Sequence, residues 1–243
     1  MRKQEAVNIG KQIRIYLERG APDEAFRVVF PLLNQRIPFP RLEDIGQAMA
    51  LPHLEEMKSF LDRIAATRSE GGWVIIATVL RCYLDTSLAA ALQLARDYVV
   101  LADVWYACDI FGERVPGTAL LKNFRHSLGL LDPWRNDPNP WVRRTVGVAI
   151  HYWAKRTKGQ PAFISQAQTL LDFLIPLFEE QEMKALKGIG WALKTMGRYY
   201  PEVTAQWLLR EVHFHQRKPR ALMLKKATTY LPPHLRAQVM QET

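Results

Sequence analysis

The stretch NPWVRRTVGVAIHYWAKRTK (139–158) decides how the rest of the chain reads. Val142, Val146, Ala149, Ile150 and Trp153 recur at i, i+4, i+7, i+8 and i+11, one apolar stripe of an α-helix that begins near Trp141. Arg144, His151, Lys155 and Lys158 fall on the other side, so the expected outer face is basic or neutral. Within it, Arg144-x-x-Gly147-x-Ala149 returns as Lys187-x-x-Gly190-x-Ala192, 43 residues further on. A weaker third copy is KPRALMLKKATTYLP (218–232), whose closing Tyr-x-Pro echoes YYP (199–201). A period near 40 residues is that of stacked helix pairs of the HEAT or armadillo kind, which curve into a solenoid with a concave binding face.

Outward from this segment, period-2 alternation is nearly absent and 3.6-residue stripes recur. Pro, Gly and Asp punctuate the chain every 12 to 20 residues, a comfortable helix length. WVIIATVLRCYL (73–84) is β-branched enough for a strand, but no neighbouring run offers it a partner. The expectation is an all-α fold of about a dozen helices, a superhelical solenoid forming a single domain over 1–243.

Composition narrows the function. Of 243 residues 48% are apolar and 23% charged, a globular balance. The longest apolar run, Trp73–Leu80, is far below the roughly 20 residues that span a bilayer. The charged opening MRKQEAVNIGKQIRIYLERG has no apolar core of a secretory signal, so a cytoplasmic protein is expected, with no membrane partner. Cys82 and Cys108 are isolated thiols with no CxxC spacing. His213-x-His215 lacks further ligands at metal-binding spacing, and GIGW (188–191) lacks the third glycine of a dinucleotide loop, so neither a metal nor a cofactor is expected. The net charge of +9 is unevenly placed. Residues 1–140 hold 17 Lys+Arg against 17 Asp+Glu, and the whole excess lies in the basic half, 141–243. That asymmetry is the footprint of a polyanion partner.

Two further segments carry candidate chemistry. At 183–199, Leu186, Ile189, Leu193 and Met196 make a buried stripe, while Lys184, Lys187, Trp191, Lys194 and Arg198 share the opposite line. Four cations around one indole suit phosphates flanking an aromatic platform, although Trp191 packed between helix pairs satisfies the same pattern. In LADVWYACDIFGERV (101–115), read as one helix, Trp105 and Asp109 are i, i+4 neighbours, with Cys108 beside them. A carboxylate there serves a reaction, or else caps a helix or pairs with an arginine.

Taken together, VWYACD (104–109), NPWVRR (139–144) and KGIGWALK…YYP (187–201) resemble the DNA alkylation repair glycosylases of the AlkD family, which are built from HEAT-like helix pairs. The likeness covers roughly residues 70 to 232. RVVFPLLNQRIPFPRLEDIG (27–46) departs from the family pattern: Arg36 replaces a glycine and no tyrosine stands where one is usual. The resemblance implies excision of N3- and N7-alkylated purines from double-stranded DNA, as a monomer, in base excision repair. It places the catalytic carboxylate at Asp109, the site tryptophans at Trp105 and Trp191, and a phosphate-side arginine at Arg144. Arg143, Lys155, Lys184, Lys187, Lys194 and Arg198 join it as candidate phosphate contacts. The chemistry is consistent: a cationic purine departs as a neutral base, so one carboxylate beside the sugar suffices and no general acid is needed. The rival reading is a non-catalytic HEAT-like module that binds nucleic acid or protein through the same basic surface.

Overall fold

A computed structural model describes residues 1–241. Among them every regular element is helical: α1 (Lys3–Glu18), α2 (Pro22–Leu33), α3 (Phe39–Met49), α4 (Leu54–Ala65), α5 (Glu70–Cys82), α6 (Leu88–Ala102), α7 (Trp105–Arg114), α8 (Pro116–Lys122), α9 (Phe124–Leu131), α10 (Pro140–Thr157), α11 (Ile164–Phe173), α12 (Met183–Tyr199), α13 (Pro201–Leu209), α14 (Ala221–Thr228) and α15 (Pro233–Gln241). Short 3₁₀ segments and one π turn (Arg210–Phe214) join some of them. No described helix is long and apolar enough to cross a membrane.

The chain divides into two compact units, Met1–Val115 and Pro116–Thr243. In the first, α1, α3, α5 and α7 pack side by side in sequence as a front row, and α2, α4 and α6 form the row behind. In the second, α8, α10, α12 and α14 make the front row, and α11, α13 and α15 the back. Each helix of these rows thus meets its next-but-one neighbour in the chain, the contact pattern of stacked helix pairs; α9 instead packs on α8. The units differ in charge: 14 Lys+Arg against 15 Asp+Glu in the first, 19 against 9 in the second.

The β-branched run becomes helix α5 because it is buried all round. Every residue from Gly71 to Leu80 is inaccessible, enclosed by α3, α4, α6 and α7. A helix that is apolar on all faces belongs in a core. Its start is fixed by Ser69, whose Oγ accepts the Gly72 N–H at 3.1 Å. Helix α10 begins where the sequence places it, with Asn139 Oδ1 accepting the Trp141 N–H at 2.8 Å and Pro140 in the first turn. It ends at Lys158, in the left-handed conformation (φ 51°). Its contact with α12 is backbone to backbone: a Cβ on Gly147 would stand 2.5 Å from the Gly188 carbonyl oxygen. Gly10, against Ile45, does the same between α1 and α3.

Two expectations need correction. Residues 101–115 are not one helix. Asp103 takes a left-handed conformation (φ 47°) that ends α6, Val104 is extended, and α7 starts afresh at Trp105. Nor is the polar side of α10 solvated throughout. Arg144 and His151 are only 7% and 6% exposed, because α12 lies against that side of the helix.

Candidate functional site

In the first unit the break at Asp103–Val104 sets the geometry. It makes Trp105 the first residue of α7, and one turn later Asp109 rises on the same face. Both line a cleft of about 230 Å³ with Phe39, Tyr106, Ile110 and Glu113 among its walls. Trp105 is 57% exposed, and its ring meets Tyr106 edge to face at 5.8 Å. The reverse side of α7 is fixed: Ala107, Cys108 and Phe111 are buried, and the Cys108 thiol donates to the Val104 carbonyl at 3.3 Å. Arg114, at the cleft's edge, is held by Glu43 at 2.7 Å and lies over the Phe39 ring.

The sequence reading of a single carboxylate here is incomplete. Glu113, one turn beyond Asp109, and Glu70, at the start of α5, line the same cleft. The Asp109–Glu113 spacing is visible in the sequence, whereas Glu70 arrives only through packing. Three carboxylates and one guanidinium, that of Arg114, thus line the cleft among aromatic rings, leaving its lining net negative. Among the described residues no group of three or more His, Cys, Asp or Glu is disposed to hold a metal ion.

In the second unit α12 presents Trp191 half-buried, stacked on His151 of α10 with ring centroids 3.7 Å apart. The Thr195 hydroxyl donates to the Trp191 carbonyl at 2.9 Å, so its oxygen accepts from His151 Nδ1 at 2.7 Å. The imidazole is thereby held as its Nδ1–H tautomer. Burial, and then the nearby Lys155 ammonium, push its pKa down to about 4, so a neutral ring backs the indole at pH 7. Trp191, Lys155, Lys194 and Arg198 line one cleft of about 180 Å³, closed on one side by Tyr199 and Tyr230. Lys194 Nζ lies 4.6 Å and Arg198 Cζ 5.5 Å from the Tyr230 ring centroid, so two cations share one aromatic ring.

The remaining sequence candidates occupy different environments. Arg144 donates from Nη1 to the Lys184 carbonyl at 3.3 Å, tying α10 to the first turn of α12. Lys184 Nζ sits 4.7 Å from the Trp141 ring centroid. Lys187 lies one turn before Trp191 and is exposed. Arg143 faces another way. Its Nε and Nη2 donate to the Glu180 carboxylate at 2.6 and 3.2 Å, and Nη1 to the Asp137 carbonyl at 2.6 Å. Burial raises the Glu180 pKa, but the Arg143 hydrogen bonds, with backbone donors at 181 and 182, bring it below the usual carboxylate range. This is a clamp between α10 and the loop before α12, with the guanidinium turned into the protein.

Sequence reasoning missed Lys226 of α14. Its side chain runs against Gly190, and Lys194, Arg144 and Lys187 are the charges it feels. The third copy of the repeat was the available signal. It also passed over Tyr230 as a site residue, reading it only as the echo of Tyr199.

A family model described as DNA alkylation repair enzyme matches residues 44–231. That span holds Trp105, Asp109, Arg144 and Trp191, and excludes α1 and α2. No curated protein and no solved structure matches the chain.

Proposed function

Because the chain belongs to the DNA alkylation repair enzyme family, we propose that it is a monofunctional DNA glycosylase. It hydrolyses the N-glycosidic bond of cationic alkylated purines, 7-methylguanine and 3-methyladenine, in double-stranded DNA. The observation that carries this reading is the α7 cleft, with Asp109 beside the exposed Trp105 and further carboxylates around them. Stacked helix pairs in two rows support a HEAT-like solenoid as the scaffold. The charge excess of residues 116–243 supports a basic DNA-binding surface on it.

The chemistry follows from the lesion's charge. An N3- or N7-alkylated purine carries a positive charge that the glycosidic electron pair neutralises as the bond breaks. The base leaves neutral without a proton, and the deoxyribose gains oxocarbenium character. Asp109 stabilises that charge and orients and deprotonates the attacking water. Trp105 offers a π-face to the cation, and the Glu70 and Glu113 carboxylates add negative potential to the same cleft. Trp191, backed by neutral His151, is a second platform, with Lys155, Lys194 and Arg198 as its phosphate contacts. Arg144, Lys184 and Lys187 extend that row, while Arg143 is assigned to the Glu180 clamp instead of to DNA.

The test is release of 7-methylguanine from alkylated duplex DNA by wild type and Asp109→Asn. The variant is expected to lose base release by orders of magnitude and to bind DNA as well or better, since a carboxylate that repels phosphate is gone. Activity within a few-fold of wild type would remove Asp109 from the chemistry.

A further inference from the structure

Helix α12 carries two glycines two residues apart: Gly188, part of the same close approach as Gly147, and Gly190, which meets a side chain alone. A Cβ on Gly188 would stand 2.6 Å from both the Arg144 carbonyl oxygen and Arg144 Cγ, and a Cβ on Gly190 would overlap Lys226 Cδ and lie 3.2 Å from Lys226 Cβ. Two residues on a helix are about 200° apart, so the glycines open opposite flanks of α12. Arg144 crosses one flank from α10, and Lys226 crosses the other from α14. On the arc of about 160° between them lie Lys194, Lys187, Trp191 and Lys184. Basic side chains therefore rise along both edges of a strip already lined with lysines.

We propose that Gly190 makes α12 a phosphate cradle, in which Lys226 reaches in from α14 and shares one DNA backbone phosphate with Lys187, while Arg144 fixes the opposite flank across Gly188. The inference rests on the DNA-binding part of the function proposed above, not on its glycosylase chemistry. Two further observations support it. Burial holds the Lys226 ammonium below its usual range, and the charges of Lys194, Arg144 and Lys187 push it the same way. Among the described residues, Lys187, Lys194 and Lys226 have no carboxylate in an ion pair. Three lysines gathered without a counter-charge hold an anion well, and a phosphodiester beside an aromatic ring is what a nucleic acid brings. The Gly-x-Gly is not a nucleotide-binding loop: it lies mid-helix, where Gly188 admits the Arg144 backbone and stem and Gly190 lets the Lys226 side chain cross.

The experiment is equilibrium binding of undamaged duplex DNA by fluorescence anisotropy from 50 to 300 mM salt. The proteins are wild type, Lys226→Met, Lys187→Met, the double variant, Lys225→Met and Gly190→Ala. Lys225 is the exposed neighbour of Lys226, so its variant removes the same charge from outside the cradle. Lys226→Met is expected to weaken binding about five- to tenfold at 100 mM salt, and Lys225→Met by less than about twofold. One phosphate contributes about 0.9 to the log–log salt slope, so the double variant should lose about that amount in total. Gly190→Ala keeps every charge and adds a good helix former, so it should melt no lower than wild type yet bind like Lys226→Met. A loss near 1.8 in the double variant would mean two separate phosphates and overturn the shared cradle. Equal losses from Lys225→Met and Lys226→Met, or wild-type binding by Gly190→Ala, would overturn it as well. Failure of the wild type to release alkylated bases would count against the glycosylase and leave these binding results standing.

Discussion

Replacing His151 by Phe keeps an aromatic ring against Trp191 and removes one titration. In the folded protein the His151 pKa is near 4, against about 6.5 in an unfolded chain. Between those values the unfolded state binds the proton and the folded state does not, so acid favours unfolding. The contribution is absent above about pH 7 and grows by about 1.4 kcal/mol per pH unit below 6.5, reaching about 2 kcal/mol at pH 5. It levels off near pH 4, once the folded ring also protonates. Wild type should therefore lose about 2 kcal/mol more stability than His151→Phe between pH 7 and pH 5. The other histidines titrate equally in both proteins and cancel in the difference. Urea denaturation of each protein at pH 7, 6 and 5, followed by tryptophan fluorescence and compared at equal denaturant slope, measures it. A stability gap that stays constant within about 0.5 kcal/mol over that range would refute the buried neutral imidazole, and with it the fixed tautomer behind Trp191.

Further outcomes are specific to the sites. Trp191→Ala should slow single-turnover excision of 7-methylguanine by roughly 5- to 30-fold, the loss of one cation–π face worth about 1–2 kcal/mol. An unchanged rate would return Trp191 to a packing role. Wild type should excise 7-methylguanine far faster than hypoxanthine from the same duplex, because a neutral base needs a proton to leave. Comparable rates would make Glu113 or Glu70 the acid that supplies it. Gly147→Ala, unlike Gly190→Ala, drives a methyl group into the Gly188 backbone and should cost at least about 1–3 kcal/mol, read as a lowered melting temperature. A neutral Gly147→Ala would show that α10 and α12 can part at no cost.

Local chemistry explains which features could be read from the sequence. The ends of α10 and α12 follow from an Asn–Pro cap and a strict apolar stripe. The break before Trp105 does not, because Asp103 is a non-glycine residue in a left-handed conformation and only packing selects it. Asp109 and Trp105 are visible as an i, i+4 pair. Glu70 in the same cleft comes from another helix and leaves no local trace. Arg143 and Arg144 are adjacent and chemically alike, yet one is clamped by Glu180, 37 residues away, and the other crosses Gly188. No one-dimensional pattern separates them. The weaker third copy, 218–232, carried more than it first gave: it covers α14, and with it Lys226.

The row arrangement of the second unit also has a bearing on how DNA binding and folding are linked. Among the described residues α14 has a front-row neighbour on one side only, α12, and with eight residues it is too short to persist alone. Rows held together mainly by adjacent members open from their ends, so α14, like α8 at the other end of this row, is expected to exchange its amide hydrogens before α10 and α12. Lys226 leaves with it. A phosphate gripped jointly from α12 and α14 would act as a tie across the fraying end, and protection of the α14 amides should rise when duplex DNA is added.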